Sequence, residues 1–423
     1  MKNPNPLYGA CKERDARDKA QAMEKIKASE IHLDKIRGSL FGGAVGDALG
    51  YPVEFMSAKR IEKAYGVNGI TKYELEPDTG TALISDDTQM TLFTVTGCLV
   101  TDTRNSLRGI CGPVEAYIKG HYDDWLCTQY MTFKKRKAEL DAMSESERGV
   151  HSWLVDEPRL YSRRAPGNTC LSALSAEYGK PSRYMPYENP INNSKGCGAV
   201  MRVAPIGLSF RAASRNMENV AVAGANVAAL THGHPLAYMS AAMLVHIINR
   251  LVFPHRELGA KNLKELVQEA LDTAKKLFAG TEYLDELVSI IELAVQLAES
   301  KEEDRVCIRK IGEGWVSEEA LAIAIFCALR HQDDFSAGVI AAVNHDGDSD
   351  STGAVTGNIL GALLGYNAID EKWKTHLELS DVILELADDL CHGCPMDEFS
   401  SYEDADWTTK YIDGKKILKH KNE

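Results

Sequence analysis

The chain has 423 residues, 44% of them hydrophobic and 26% charged, which is ample apolar mass for a large buried core. Its 61 acidic residues outnumber 48 basic ones, giving a formal charge of −13. That balance argues against a protein built to coat nucleic acid or an anionic membrane, since both call for a cationic face. It leaves room for a local pocket that takes one phosphorylated ligand, and it suits metal coordination. Length alone suggests about two or three domains, yet no Ser/Gly linker separates two halves, so one large domain with additions is expected.

Met1 to Ala10 holds Asn, Pro and Lys without an apolar run, so no signal peptide is expected. Residues 1–30 are charged and weakly apolar and read as an arm or extension. The main helical domain is expected over 31–395, with a C-terminal tail over 396–423. Gly38, Gly42, Gly46 and Gly50 recur every fourth residue, and so do Gly353, Gly357, Gly361 and Gly365. Each glycine costs about 1 kcal/mol against alanine in an exposed helix. A helical face without Cβ atoms offsets that by letting another backbone approach closely. Two central helices are therefore predicted, candidates to pack against each other. Ile70–Leu75 is a weak strand candidate, and Met90–Val100 has helical spacing. Residues 120–160 mix charge with Trp125, Tyr130, Phe133 and Trp153 and suggest a peripheral insertion.

Helical periodicity then recurs over Asn219–Leu230, Pro235–Val252, Leu263–Phe278, Leu284–Ala298, Glu318–Leu329 and Leu377–Cys391. Residues 254–316 contain two of these amphipathic helices and a charged link, the pattern of a peripheral hairpin. Pro235–Phe253 and Val355–Tyr366 are the most apolar stretches. The first carries His246, Asn249 and Arg250 and the second is too short to span a bilayer, so no membrane partner is expected. Ten cysteines, sparse and irregular, read as reduced thiols of a cytoplasmic protein. Cys391 and Cys394 form a Cys-x-x-Cys without a second ligand pair, and they follow a helical pattern, so a helix end is expected there. No repeat register is visible, and the fold class is all-α.

Three acidic clusters stand beside these helices: Glu54 in Tyr51–Phe55, then Ser85-Asp86-Asp87-Thr88, then Asp346, Asp348 and Asp350 within His345–Thr352. Helix capping accounts for one Asp per helix at about 1 kcal/mol, but not for Asp86 beside Asp87, nor for three aspartates within five residues. Crowded carboxylates repel unless a cation or protons sit between them. Hard divalent cations take carboxylate and hydroxyl oxygens, the two types these segments offer. A calcium EF-hand does not fit, because counting from Asp346 the sixth position is Ser351 and the twelfth is Gly357. A two-metal phosphoesterase stays open.

Five ordered motifs carry a closer likeness: Gly46–Phe55, Ser85–Met90, Gly198-Ala199-Val200-Met201-Arg202-Val203-Ala204-Pro205, Thr231-His232-Gly233-His234-Pro235, and Gly347-Asp348-Ser349-Asp350-Ser351. The sequence resembles the ADP-ribosylglycohydrolase family, and within it the dinitrogenase reductase-activating branch, from about residue 35 to about 390. The resemblance implies a compact all-α multi-helix fold around the glycine-rich helices. It also implies two divalent cations, Mg2+ or Mn2+, that bind the distal ribose of ADP-ribose. By motif, Ser85, Asp86, Asp87, Asp348, Asp350 and Ser351 correspond to the metal ligands, with Ser351 standing where the family commonly has Thr. Glu54 corresponds to a glutamate near the metals. Gly196, Gly198, Ala199 and Met201 correspond to the loop that holds ADP-ribose, and His232 to a histidine near that ligand. The resemblance places at Arg164–Thr169 a loop that in some arginine-specific members carries an aspartate, which this stretch lacks.

The expected chemistry is hydrolysis of the glycosidic bond between ADP-ribose and a modified side chain, with arginine foremost. Glu54 and an aspartate, Asp87 or Asp348, are the candidates to move protons. The expected partner is an ADP-ribosylated protein or a free ADP-ribosyl compound. Modified nucleic acid is the reading the acidic chain fits worst, and oligomeric state is not legible. The alternatives are a non-catalytic, crystallin-like ADP-ribose binder and a two-metal phosphoesterase.

Overall fold

The computed structural model describes residues 29–109, 112–144, 152–210, 216–254 and 261–417; of the arm expected over 1–30, residues 1–28 lie outside them and 29–30 begin the first helix. In chain order the helices are α1 (29–50), α2 (Ala58–Tyr65), α3 (Asp86–Arg108), α4 (Val114–Tyr130), α5 (Phe133–Ala142), α6 (Asn168–Ala176), α7 (Ala204–Ser209), α8 (Met217–Ala229) and α9 (Pro235–Val252). They continue with α10 (Leu263–Leu277), α11 (Leu284–Ala298), α12 (Asp304–Ile311), α13 (Ser317–Arg330), α14 (Phe335–Val343), α15 (Ser349–Leu364), α16 (Glu371–Lys374), α17 (Ser380–His392) and α18 (Ala405–Tyr411). Among the described residues there is no sheet, only two isolated bridges, Ala82 with Leu377 and Gly196 with Val316.

The two glycine rows meet. α1 and α15 run antiparallel with Gly38 facing Gly361, Gly42 facing Gly357 and Gly46 facing Gly353. A Cβ on Gly46 would lie 1.9 Å from the Gly353 carbonyl oxygen, and one on Gly357 would lie 2.0 Å from that of Gly42. No side chain fits such a seam. Ser39 and Asn358 lock the register: the Ser39 hydroxyl donates to the Asn358 carbonyl at 3.0 Å, and Asn358 Nδ2 donates to the Ser39 carbonyl at 2.8 Å. The seam brings the C-terminal end of α1 against the N-terminal end of α15, where a Cβ on Gly50 would meet Ser349 O at 2.3 Å.

α9 is the hub. It packs against α7, α8, α10 and α13, and 94% of this apolar helix lies buried inside the fold. Its His246 and Arg250 face Glu269 of α10, with Arg250 Nε 2.8 Å from Glu269 Oε1 and Lys261 completing the cluster. α10 and α11 bury the stripes Leu266, Ala270 and Ala274, and Leu287, Ile291 and Ala294, leaving charged faces outward. α3 lies along α4 and α7.

Two segments differ from their sequence pattern. Ile70–Leu75 forms no strand; instead the Asn344 side chain mimics one, accepting from Ile70 N at 2.8 Å and donating to Ile70 O at 2.9 Å. Trp125 and Trp153, read as peripheral, are fully buried, and Trp125 Nε1 donates to Gln89 Oε1 of α3 at 3.2 Å. The Cys391–Cys394 stretch is a helix end, as its pattern predicts: α17 stops at His392, Gly393 takes φ +71, and neither cysteine forms a disulfide. Within 396–417, α18 docks on α3 through Trp407 Nε1, which donates to Thr103 Oγ1 at 2.8 Å.

Candidate active site

Three chain segments distant in sequence converge at one end of the glycine seam. The N-terminus of α3 supplies Ser85 as its cap, then Asp86 and Asp87. The N-terminus of α15 supplies Asp348 as its cap, then Asp350 and Ser351. The turn after α1 supplies Glu54. Both helix starts favour carboxylates, because their first N–H groups lack intrahelical partners and carry the positive end of the dipole. The Ser85 side chain accepts from Asp87 N at 3.2 Å, and Asp348 Oδ1 accepts from Ser351 N at 3.2 Å.

All of these residues are buried; Asp87 is 3% exposed and Glu54 7%. Burial, followed by repulsion from neighbouring carboxylates, pushes the pKa of Asp87 and Asp350 well above the usual range. Burial does the same to Asp86, with Asp47 and Asp348 adding to it and the Gly167 N–H opposing it. Glu54 is pushed up to about 9 by burial and by Asp348, Asp86 and Asp47, against a hydrogen bond with Asp350. Two oxygens, Glu54 Oε2 and Asp87 Oδ2, are buried without a hydrogen-bond partner. An orphaned buried acceptor is costly, and a cation is the group that would satisfy several at once. Among the described residues no trio of His, Cys, Asp or Glu is already closed into a ligand cage. The donor chemistry nonetheless fits a hard divalent ion, since hydroxyl and carboxylate oxygens are its preferred ligands.

The residues read as ligand-binding lie next to this cluster. Gly196 to Met201 form a tight turn, pinned where Cys197 N donates to Trp315 O at 3.1 Å and Ser317 Oγ to Gly196 O at 2.7 Å. His232 packs under it: a Cβ on Gly198 would come 3.0 Å from His232 Cε1. Burial and then Arg202 hold the His232 pKa well below the ordinary value, so the ring is neutral. Its Nδ1 pairs with Thr231 Oγ1 at 2.8 Å, and Arg202, stacked over the Tyr122 ring at 4.8 Å, donates to the same hydroxyl. The side chains of Ala199 and Met201 point into the core and are 0% and 3% exposed. Beside Glu54 lies a cleft of about 530 Å³ lined by Phe55 and Trp315, whose rings stack at 5.8 Å, and by Arg305, Arg309 and Asp346.

Sequence reasoning missed three supports. Asp47 accepts from Ser85 N, Thr88 N and Thr88 Oγ1 at 3.0, 3.0 and 2.5 Å, so α1 holds the first turn of α3 in place. Its signal was a single charge inside the apolar run 38–50. Burial pushes Asp47 up to about 6, against those hydrogen bonds. Arg164, in the stretch lacking the aspartate, donates to Ile84 O at 2.9 Å and pairs with Glu378, while Gly167 N donates to Asp86 Oδ2 at 3.3 Å. That stretch braces Asp86. Cys197 Sγ donates to Asp348 Oδ2 at 2.8 Å, a contact across 151 residues that no local pattern announces.

A helical scaffold that gathers buried carboxylates beside a glycine-containing turn defines an acid-lined small-ligand site on an all-α fold. Residues 28–398 match the family described as ADP-ribosylglycohydrolase, and the chain belongs to this family of hydrolases. It is 26% identical over 368 residues to the ADP-ribosylarginine hydrolase Tri1 of Serratia proteamaculans, covering 87% of this chain and 81% of that one. It is 24% identical to the ADP-ribosyl-[dinitrogen reductase] glycohydrolase of Rhodospirillum rubrum, covering 82% and 91%. A solved ADP-ribosylglycohydrolase-related protein complex shares the fold, with TM-score 0.55, 22% identity, and coverage of 86% of this chain and 99% of that one.

Proposed function

We propose that the protein cleaves the glycosidic bond between ADP-ribose and a modified side chain, arginine foremost, and releases ADP-ribose. One observation carries this reading: five carboxyls, those of Glu54, Asp86, Asp87, Asp348 and Asp350, gather beside the Gly196–Met201 turn, and burial with repulsion from neighbouring carboxylates pushes the pKa of Glu54, Asp86, Asp87 and Asp350 up. Such an arrangement is destabilising by itself and makes sense where a doubly charged ion completes it. Ser85, Asp86, Asp87, Asp348, Asp350 and Ser351 are the residues that would hold Mg2+ or Mn2+. Bound there, the ions would orient ribose hydroxyls and lower the pKa of water.

The chain's own groups supply the rest. Without side chains, Gly196 and Gly198 let a pyrophosphate reach backbone N–H groups. Glu54 stands at the edge of the cleft, where burial and the neighbouring carboxylates of the metal-free protein push its pKa up to about 9, and from there it can supply the leaving group's proton. Water attacks the anomeric carbon as its bond to the guanidine nitrogen breaks; the water proton passes to Asp87 or Asp348, and the Glu54 proton to the departing nitrogen. The Tri1 relative is named for arginine hydrolysis, which favours this linkage over serine.

The test is release of ADP-ribose, read by mass spectrometry, from arginine-linked and serine-linked ADP-ribosylated proteins, with and without EDTA. We expect release from the arginine linkage and its loss on chelation. AMP as the product, or full activity without metal, would overturn the reading.

A further inference from the structure

We propose that Thr231, held by Arg202, is a positioning residue that fixes the tautomer of His232, so that the ring turns an Nε2–H donor, not a bare nitrogen, toward a ligand at the Gly196–Gly198 turn. Arg202 carries N–H donors and no acceptor, so at Thr231 Oγ1, 2.5 Å away, it can only donate. The same hydroxyl lies 2.8 Å from His232 Nδ1. Thr231 is 0% exposed, and among the described residues its hydroxyl has these two partners alone. Were Nδ1 protonated, two donors would point at one oxygen, and the hydroxyl proton would be buried without an acceptor, a costly arrangement. With Nδ1 bare, the chain from Arg202 through Thr231 to His232 runs in one direction and each proton meets a lone pair. The ring is neutral, because burial and then Arg202 disfavour its charge. Its single proton therefore sits on Nε2.

The surroundings hold each link in place. Arg202 is fully buried, with Cζ 4.8 Å from the centre of the Tyr122 ring and Nη1 3.2 Å from Cys170 Sγ. Asn192 clamps the backbone on both sides of His232: its Nδ2 donates to Thr231 O at 2.7 Å, and its Oδ1 accepts from Gly233 N at 3.1 Å. On the far side of the ring, Nε2 faces the turn. A Cβ on Gly196 would lie 3.3 Å from it, and one on Gly198 3.4 Å. Glycine at both positions leaves this nitrogen uncovered, and it has no hydrogen-bond partner among the described residues. An N–H there pairs with a phosphate or hydroxyl oxygen, whereas a bare nitrogen would set its lone pair against that oxygen. That the oxygen belongs to ADP-ribose rests on the function proposed above; the tautomer does not.

The experiment records long-range proton–nitrogen correlations of the histidine rings in the full-length protein at neutral pH, with His232→Gln marking which signals belong to His232. We expect an unprotonated Nδ1 and a protonated Nε2. Thr231→Val and Thr231→Ala remove the hydroxyl. Each should move both nitrogens toward the averaged shifts of mixed tautomers and weaken ADP-ribose binding, read by calorimetry with Mg2+ present, about tenfold. Thr231→Ser should return both readouts to the wild-type values, and circular dichroism checks that each variant is folded. A protonated Nδ1 in the wild type, or wild-type ring shifts in a folded protein without the hydroxyl, would overturn the proposal. So would a redistributed tautomer with undiminished binding. A tautomer that depends on the Thr231 hydroxyl in a protein whose wild type binds no ADP-ribose would support the relay and overturn only the reading of function.

Discussion

Two acidic sites in this molecule are built on opposite principles. On α9 and α10, Glu269 is ringed by His246, Arg250 and Lys261. Burial would raise its pKa, but His246, Lys261 and Arg250 outweigh burial and hold it down at about 2. At the starts of α3 and α15, burial acts on Asp86, Asp87 and Asp350 with no cation to oppose it, and their pKa values go up. The first group is complete within the chain and serves the fold. The second has no such pairing among the described residues, and the proposed function places a divalent cation there.

If the second group is catalytic, Glu54→Gln should cost activity by about 100- to 10,000-fold, the range for losing a general acid, with the thermal transition little changed. A variant within tenfold of wild type in the ADP-ribose release assay would remove Glu54 from the mechanism. The scaffold that joins the segments is tested by Gly357→Ala. Alanine gains about 1 kcal/mol in helix propensity, but its Cβ would stand 2.0 Å from Gly42 O, and forcing a backbone seam apart costs about 3 kcal/mol or more. Urea denaturation should show net destabilisation. The control Gly120→Ala, on α4 with nothing within 4 Å of its Cβ, should be neutral or stabilising.

The contrast sharpens in a pair of neutralising substitutions measured in EDTA. Glu269→Gln should destabilise by about 1–2 kcal/mol, because it strands buried cations. Asp350→Asn should stabilise the metal-free protein, on the order of 1 kcal/mol, by relieving repulsion. Effects of the same sign would break the comparison. The pH dependence carries the same opposition. Glu269, depressed in the fold, contributes stability above the ordinary carboxylate range, and this is lost as pH falls through about 2. The raised carboxyls bind more protons folded than unfolded. Metal-free stability should therefore fall as pH rises from about 4 toward the value of about 9 that Glu54 reaches. Thermal melts of the chelated protein at pH 5 and pH 8 check the sign.

Much of this was legible in the sequence. Four-residue glycine spacing announced the seam, because only a backbone-to-backbone contact explains so many missing side chains in apolar helices. Clustered aspartates announced a converging acidic site, because capping needs only one of each pair. Spacing could not give what depends on contacts across the fold. Asp47 reads as a stray charge in a helix until α3 is laid over it. Cys197 reads as one more thiol until Asp348 arrives from 151 residues away. Trp125 shares a charged helix that looks peripheral, and its burial is set by α3, not by its own pattern. Ile70–Leu75 has the alternation of a strand but no partner strand, and Asn344 takes that role.

Calorimetric titration of Mn2+ into the chelator-treated protein tests the central claim most directly. Saturable binding that disappears in Asp86→Asn and in Asp350→Asn, with both variants folded, is the predicted result. A wild type that binds no manganese, or variants that bind it as well as the wild type, would show that these carboxylates are not gathered to receive an ion.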